Sequence, residues 1–242
     1  MNDFFNMIKQ YRYEYLPKQK GYAENTIISY RRVLTLFVNY LHEVRNISMS
    51  DIDFPLIDRN TVVDFLEWLQ NERKCSSTTR NHHLMVLRSF FRYAGKVDCS
   101  YESISLLVSE VPAKHEPGKL VDYLSESALE ALLKQPDTSK AKGVRDLFFM
   151  ILMYDTAARC SELRNLRIKD IHLDASSPVI YLHGKGDKGQ YLPLFKRTVE
   201  HYREYMKIFH PTSSSNDDDL VFYRLCEKIS VNSKTVIKND MW

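Results

Sequence analysis

The sequence predicts a mainly α protein of two domains, the first entirely helical and the second mixed α/β, mostly helical with one small β-sheet. Apolar residues recur every three or four positions through most of the first half, with no strand pattern. The run VPAKHEPGK then interrupts this periodicity with two prolines and a glycine, which is typical of a linker. In the second half, β-rich arms at 179–183 and 190–194 flank a glycine-rich turn, which predicts a hairpin. We therefore predict domains at residues 1–112 and 120–242, joined by a linker at 113–119.

Composition excludes several classes of protein. The chain has 242 residues, 44% of them hydrophobic, which suffices for two cores. Its longest apolar run, at 147–154, is too short to span a bilayer, and its N-terminus lacks the apolar segment of a signal peptide. The four cysteines lack metal-type spacing, so we expect free thiols and no metal site. These features predict a cytoplasmic protein without a membrane anchor.

Four or five helices are predicted in the first domain. The periodic stretches at 4–16 and 25–44 each form one, and PKQKGYAE separates them as a loop. Asp58 is the predicted N-cap of the next helix, RNTVVDFLEWLQNER. The hydroxyl residues of CSSTTR offer N-caps to a helix from Thr78, and Gly95 is its predicted C-cap.

Helices are also predicted on both sides of the hairpin in the second domain. Ser125 is the predicted N-cap of a short helix, and residues 143–156 form a buried one. Ser161 is the predicted N-cap of the segment ELRNLRIKD. After the hairpin, helix returns at 198–209, and the final stretch VNSKTVIKNDMW can open another.

A basic stretch lies within this nearly neutral chain, whose net charge is only +3. Residues 73–96 contain six lysines and arginines and no acidic residue, a pattern typical of contact with a polyanion. We predict that Arg80, Arg88 and Arg92 contact phosphates or groove edges of DNA. Asn81 could pair with an adenine edge. The alternative is a helix face that is simply solvated.

Two further cationic residues occupy turns in which they could bind an anion or donate a proton. Arg159 lies between a buried helix and a capped one, so we expect packing on both sides to bury its side chain. A buried arginine requires an anion, either Glu162 or an external phosphate. Both remain open. Lys185 lies in the hairpin turn GKGDKGQ, where a lysine can donate a proton to a leaving oxygen. The alternative is a plain exposed turn, on which Lys188 is a further candidate DNA contact.

The order of the helical domain, the linker, AARCSELRNLRIKDI and LHGKGDKGQYLPL resembles the tyrosine recombinase (phage-type integrase) family, which includes Xer-like and transposon integrases. The resemblance implies a helical core-binding (SAM-like) domain and a catalytic domain that close on double-stranded DNA, with a tetramer on DNA in the complete protein. It also implies that Arg159 grips the scissile phosphate, that Glu162 supports it, and that Lys185 is the general acid toward the 5′ oxygen. It further implies that a tyrosine forms a 3′-phosphotyrosine and that neither ATP, a metal nor another cofactor is needed.

One part of the family pattern is missing. The family has His-x-x-Arg and then the nucleophilic tyrosine, but no histidine after Arg159 has arginine three residues on. The last tyrosine, Tyr223, precedes the place for that motif. We therefore expect a catalytic domain that is incomplete at its C-terminus and a polypeptide that binds DNA without cleaving it. The alternative is a non-catalytic DNA-binding module or competitor derived from an integrase. A scaffold that binds only proteins is disfavoured by the basic residues.

Overall fold

The computed structural model describes residues 3–115, 118, 123–173, 177–184, 188–211 and 216–222. The chain forms two compact units, Met1–Leu120 and Val121–Trp242. The described residues are mostly helical, with one three-stranded antiparallel sheet, so the predicted fold class is confirmed.

The first unit is a bundle of five α-helices within the described residues. They are α1 (Asp3–Gln10), α2 (Glu24–Asn39), α3 (Arg59–Asn71), α4 (Ser77–Val97) and α5 (Glu102–Glu110). Wider π-helical turns extend α1 through Tyr11–Gln19 and α2 through Tyr40–Val44, and short 3-10 turns precede α3 and α5. The helices enclose a core rich in aromatic rings, in which Phe4, Phe37 and Phe90 are fully buried.

Local signals explain most of these boundaries. The Asp58 carboxylate accepts the Thr61 N–H at 2.7 Å, which confirms it as the N-cap of α3. Ser76, from the predicted hydroxyl run, accepts the Thr79 N–H at 3.3 Å and caps α4. The prediction of Gly95 as a C-cap is wrong, because α4 continues to Val97. A Cβ at Gly95 would lie 3.2 Å from Glu102 Cα, so this glycine lets α5 pack closely instead.

The predicted loop PKQKGYAE is shorter than expected, because the first helix continues through Pro17 to Gln19. This helix ends shortly before Gly21, which adopts the left-handed conformation with φ 61°. The preceding turn is closed by a bond from the Lys20 N–H to the Tyr15 carbonyl at 2.9 Å.

The second unit packs helices against a small sheet. Its helices are α6 (Glu126–Leu133), α7 (Ala141–Thr156), α8 (Cys160–Arg164) and α9 (Lys196–Phe209), and its strands are β1 (Ile171–His172), β2 (Val179–His183) and β3 (Gly189–Pro193). The predicted hairpin is confirmed, with Tyr181 opposite Tyr191. Ile180 and Leu182 point into a core that includes Phe148 of α7 and Tyr205 of α9. Ser125 caps α6, as predicted, by accepting the Ala128 N–H at 3.2 Å.

The helix predicted over ELRNLRIKD is wrong in both its cap and its length. Arg159, not Ser161, is the N-cap residue, and α8 ends at Arg164. The chain beyond it pairs with residues 216–222, since the Ile168 N–H donates to the Asp219 carbonyl at 3.0 Å. Backbone groups that a longer helix would have used internally are therefore satisfied by a distant segment.

No helix in the part of the chain that the structure describes is long and apolar enough to cross a membrane.

Candidate functional site

Arg159 stands in a short turn whose backbone is held on both sides. Ala157 ends α7 in the left-handed conformation, with φ 51°. The Thr156 hydroxyl donates to the Leu152 carbonyl at 2.6 Å and accepts the Ala158 N–H at 3.3 Å. Arg159 is extended, with φ −69° and ψ 147°, and α8 begins at the next residue. The turn therefore presents the Arg159 side chain from a well-ordered backbone.

Glu162 binds Arg159 at two points. One carboxylate oxygen, Oε2, accepts the Arg159 backbone N–H at 2.7 Å. The other, Oε1, accepts from Arg159 Nη1, also at 2.7 Å. The backbone bond is the larger cause, and the guanidinium bond the second, of a lowered pKa of the Glu162 carboxyl. Glu162 is therefore charged at neutral pH and acts as both helix cap and ion-pair partner.

The two side chains differ in exposure in an unexpected way. The Glu162 side chain is only 8% exposed, whereas that of Arg159 is 71% exposed. The expectation that packing on both sides buries Arg159 is therefore wrong. The internal ion pair exists, and it leaves much of the guanidinium open to solvent. Since arginine presents five N–H donors in a planar fork, a group held on one edge can still bind an anion such as phosphate.

Gly184, at the end of β2, brings the hairpin turn beside this pair. A Cβ at Gly184 would lie 3.7 Å from Glu162 Oε1 and 2.6 Å from the Lys188 carbonyl oxygen. The Gly184 N–H donates to that same carbonyl at 2.8 Å, which closes the turn. Lys185 is covalently next to Gly184 but lies outside the described residues, so its role stays a prediction. Lys188 is exposed.

The capping arrangement of Arg159 and Glu162 recurs at Arg167 and Asp170, a pair that was not predicted from the sequence. Asp170 is buried, and its Oδ2 accepts the Arg167 backbone N–H at 2.9 Å, as Glu162 does for Arg159. Its other oxygen lies 3.6 Å from His183 Nε2, in the residue before Gly184. The signal for Asp170 was the capping-box spacing itself. This arrangement steadies the strand that leads into the turn.

The basic residues of α4 occupy a separate surface in the first unit. Arg92 is exposed, but Arg80 is only 5% exposed and donates to the Pro112 carbonyl at 2.8 Å. Asn81 and Arg88 also bind backbone groups after α5, at Lys114 and Val111 respectively. Burial lowers the pKa of Arg80, and the nearby charge of Arg88 lowers it further. The structure thus shows intrachain partners for Arg80, Asn81 and Arg88, and their contact with DNA stays a prediction.

The described residues contain no group of three or more His, Cys, Asp or Glu side chains that could hold a metal ion.

Comparison with known proteins matches both halves of the chain. The model described as "Phage integrase, N-terminal SAM-like domain" matches residues 8–98, and the model described as "Phage integrase family" matches residues 122–239. The chain is 31% identical over 237 residues to a tyrosine recombinase XerD of Staphylococcus epidermidis, covering 98% of this chain and 75% of that protein. It is also 31% identical over 197 residues to XerD of Listeria innocua, covering 81% of this chain and 63% of that one.

Solved structures share the fold at low sequence identity. A lambda integrase dimer bound to a COC′ core site has a TM-score of 0.60 at 17% identity, covering 84% of this chain and 69% of that one. The XerH recombinase in a post-cleavage complex with a difH substrate has a TM-score of 0.58 at 22% identity, covering 82% of this chain and 56% of that chain. The chain thus spans less than two thirds of XerH and of the Listeria protein.

Proposed function

Because the chain belongs to the tyrosine recombinase (phage integrase) family, we propose that it binds duplex DNA and serves in site-specific recombination. The observation that carries the proposal is the Arg159 guanidinium, held on one edge by Glu162 and open on the rest, beside the hairpin turn at Gly184. A fixed cation with free donors suits the charge that develops on phosphate oxygens during phosphoryl transfer.

Each residue of the site has a distinct proposed role. Arg159 binds the non-bridging oxygens of the scissile phosphate, and Glu162 orients it. A tyrosine hydroxyl attacks the phosphorus and forms a 3′-phosphotyrosine, while the bond to the 5′ oxygen breaks. Lys185 donates a proton to that leaving oxygen. The phosphotyrosine keeps the phosphate bonded as an ester, so the reaction as proposed uses neither ATP nor a metal.

The proposed DNA interface lies on the two units separately. On the first it follows the exposed side of α4, where Arg92 projects beside a recess that is also lined by Tyr22 and Arg88. On the second it includes Lys188 in the hairpin turn. Exposed cations bind phosphates without loss of an internal partner, so Arg92 and Lys188 are the stronger candidates. The DNA contacts that the sequence predicts for Arg80, Asn81 and Arg88 stay predictions and are not part of this proposed interface, because backbone groups of the same unit already engage all three side chains.

The proposal extends to assembly and location. A recombinase exchanges strands between two duplexes, so we propose that longer forms of the chain assemble as a tetramer on DNA. Because its substrate is DNA, we place the protein with the nucleoid in the cytoplasm.

Polypeptide 1–242 should bind duplex DNA without becoming covalently attached, because no His-x-x-Arg follows Arg159 in its sequence. A nicked suicide substrate traps any 3′-phosphotyrosine, and denaturing gels reveal it as a shifted band. Binding should appear in a native gel with no such band. A covalent adduct would show that a tyrosine within these residues is the nucleophile. No binding to any duplex at low salt would refute the function itself.

A further inference from the structure

We propose that Arg80, Asn81 and Arg88 hold the segment of residues 109–114 against α4, and thereby set where the connection between the two units begins. This segment is called the strap below. The three side chains are then positioning residues for the linker and not readers of DNA. The proposal rests on contacts within the first unit and goes beyond the proposed function.

Asn81 provides the most specific contact. Its Nδ2 donates to the Lys114 carbonyl at 2.8 Å, and its Oδ1 accepts the Lys114 N–H at 2.9 Å. One side-chain amide thus binds both the backbone N–H and the backbone carbonyl of a single residue 33 positions away. A two-point contact of this kind sets the direction of the peptide as well as its place.

Arg80 anchors the middle of the strap. Its Nη1 donates to the Pro112 carbonyl at 2.8 Å and to Asn81 Oδ1 at 3.2 Å, so that the two side chains support each other. Arg80 is also buried, and its Nε lacks a partner among the described residues. A phosphate could reach this guanidinium only if the groups around it moved. Its burial therefore favours a role inside the unit.

Arg88 holds the start of the strap, two turns further along α4. Its Nη2 donates to the Ser109 carbonyl at 2.9 Å and also to the Val111 carbonyl. The strap therefore runs antiparallel to α4, from Arg88 back to Asn81. Val111 itself is fully buried in the core of the unit, which provides an apolar anchor independent of the polar ones.

These contacts imply that the first unit does not end with α5. Five side chain to backbone hydrogen bonds fall on four residues of the strap. Three of the four, Val111, Pro112 and Lys114, belong to the run VPAKHEPGK, whose composition is typical of a linker. A free connection between the units therefore starts no earlier than His115. If both units grip one duplex, the strap shortens the tether and so raises the effective concentration of the second unit.

Trypsin provides a direct test, since it cleaves after Lys114, whose carbonyl Asn81 binds. Asn81→Ala in chain 1–242 should speed cleavage at Lys114 by about tenfold, because two hydrogen bonds are lost. Asn81→Asp keeps the acceptor for the Lys114 N–H but loses the donor, so its rate should be intermediate. Asn60→Ala, at an exposed asparagine of α3, is the matched control and should leave the rate unchanged.

A second measurement distinguishes local release of the strap from general unfolding of the first unit. Hydrogen exchange of the Lys114 amide should accelerate in Asn81→Ala, while amides in the middle of α3 keep their protection. Equal cleavage and exchange at Lys114 in Asn81→Ala and Asn60→Ala would overturn the strap.

The DNA measurement separates this proposal from the proposed function. The slope of log affinity against log salt should be unchanged in Asn81→Ala and in Arg80→Ala, because neither residue neutralises a phosphate. A reduced slope in Arg80→Ala, or lost preference for one base in Asn81→Ala, would assign them to DNA and refute the strap. If the unmodified chain fails to bind DNA, the proposed function fails while the trypsin and exchange results still decide the strap.

Discussion

At the scale of single residues, the two members of the Arg159–Glu162 ion pair differ in their exposure to solvent. The side chain of the acid is the less exposed of the two, and its carboxylate accepts from a backbone N–H and a guanidinium. The arginine is exposed and keeps donors for an external group. A buried carboxylate that lost its partners would be costly, so the pair keeps Glu162 ionised and Arg159 in one place.

Glu162 makes folding depend on pH in a defined direction. The folded state lowers its pKa below the ordinary value, so its contribution to stability is present above that value and is lost as pH falls through the lower folded pKa. Glu162→Gln should therefore reduce the loss of unfolding free energy between neutral and acid pH. Urea unfolding at a series of pH values measures this. Glu130→Gln, at the exposed partner of Lys134, is the control and should behave as the unmodified chain.

Arg159 and Lys185 should differ when the leaving group changes, in any longer form of this chain that carries a nucleophilic tyrosine. Arg159→Ala should slow cleavage by about 10²-fold or more, as loss of an oxyanion donor does. Arg159→Lys should cleave little faster than Arg159→Ala, because lysine lacks the planar fork of the guanidinium. Lys185→Ala should be rescued by a 5′-bridging sulfur, which leaves without a proton, and Arg159→Ala should not.

Cleavage rates of oxygen and sulfur substrates provide the measurement. Rescue of both variants, or of neither, would remove Lys185 from the role of general acid.

At the scale of elements, the hairpin and α8 meet through Gly184. The glycine has no Cβ, and this lets its backbone approach the Lys188 carbonyl closely, whereas the position of a Cβ would be in ordinary contact with Glu162 Oε1. The hairpin turn, whose lysine is the proposed acid, is thus tied to the helix that carries the proposed phosphate ligand. Their relative position depends on one close backbone approach.

Gly184→Ala should loosen this junction. Its methyl group would lie 2.6 Å from the Lys188 carbonyl oxygen, so the turn must shift. We expect this strain to lower the free energy of unfolding by about 1–3 kcal/mol. Gly118→Ala is the control, since a Cβ there meets nothing within 4 Å. Chemical denaturation of the two variants compares them, and equal stability would show that the turn adapts without strain.

At the scale of the whole molecule, charge is distributed unevenly although the total is nearly zero. The acid-free stretch at 73–96 lies in the first unit, whereas Arg159 and Lys188 belong to the second. Within the first unit, partners inside the chain already engage Arg80 and Arg88, so the exposed charge of α4 is smaller than the sequence suggests. Overall affinity for DNA should therefore depend on a few exposed cations.

Arg92→Ala should reduce affinity for every duplex sequence alike. Because one phosphate contact is lost, the slope of log affinity against log salt should fall by about 0.9. Titrations of labelled duplex at several salt concentrations measure the slope. Lys134→Ala removes the same charge from the C-cap of α6, where Lys134 pairs with Glu130, and should leave the slope unchanged. An unaltered slope in Arg92→Ala would place the DNA elsewhere.

Elements with local causes could be predicted from the sequence. The helix beginning near residue 25, the Asp58 and Ser125 caps and the hairpin arms follow from periodicity and from side chains within a few positions. The effects of distant segments on those elements could be seen only in the folded chain. The segment 216–222 forms hydrogen bonds with backbone groups that a longer α8 would have used internally. The strap forms hydrogen bonds with polar side chains of α4. Exposure of Arg159 was likewise undetermined, because a sequence states which charges are neighbours but not which of them the core covers.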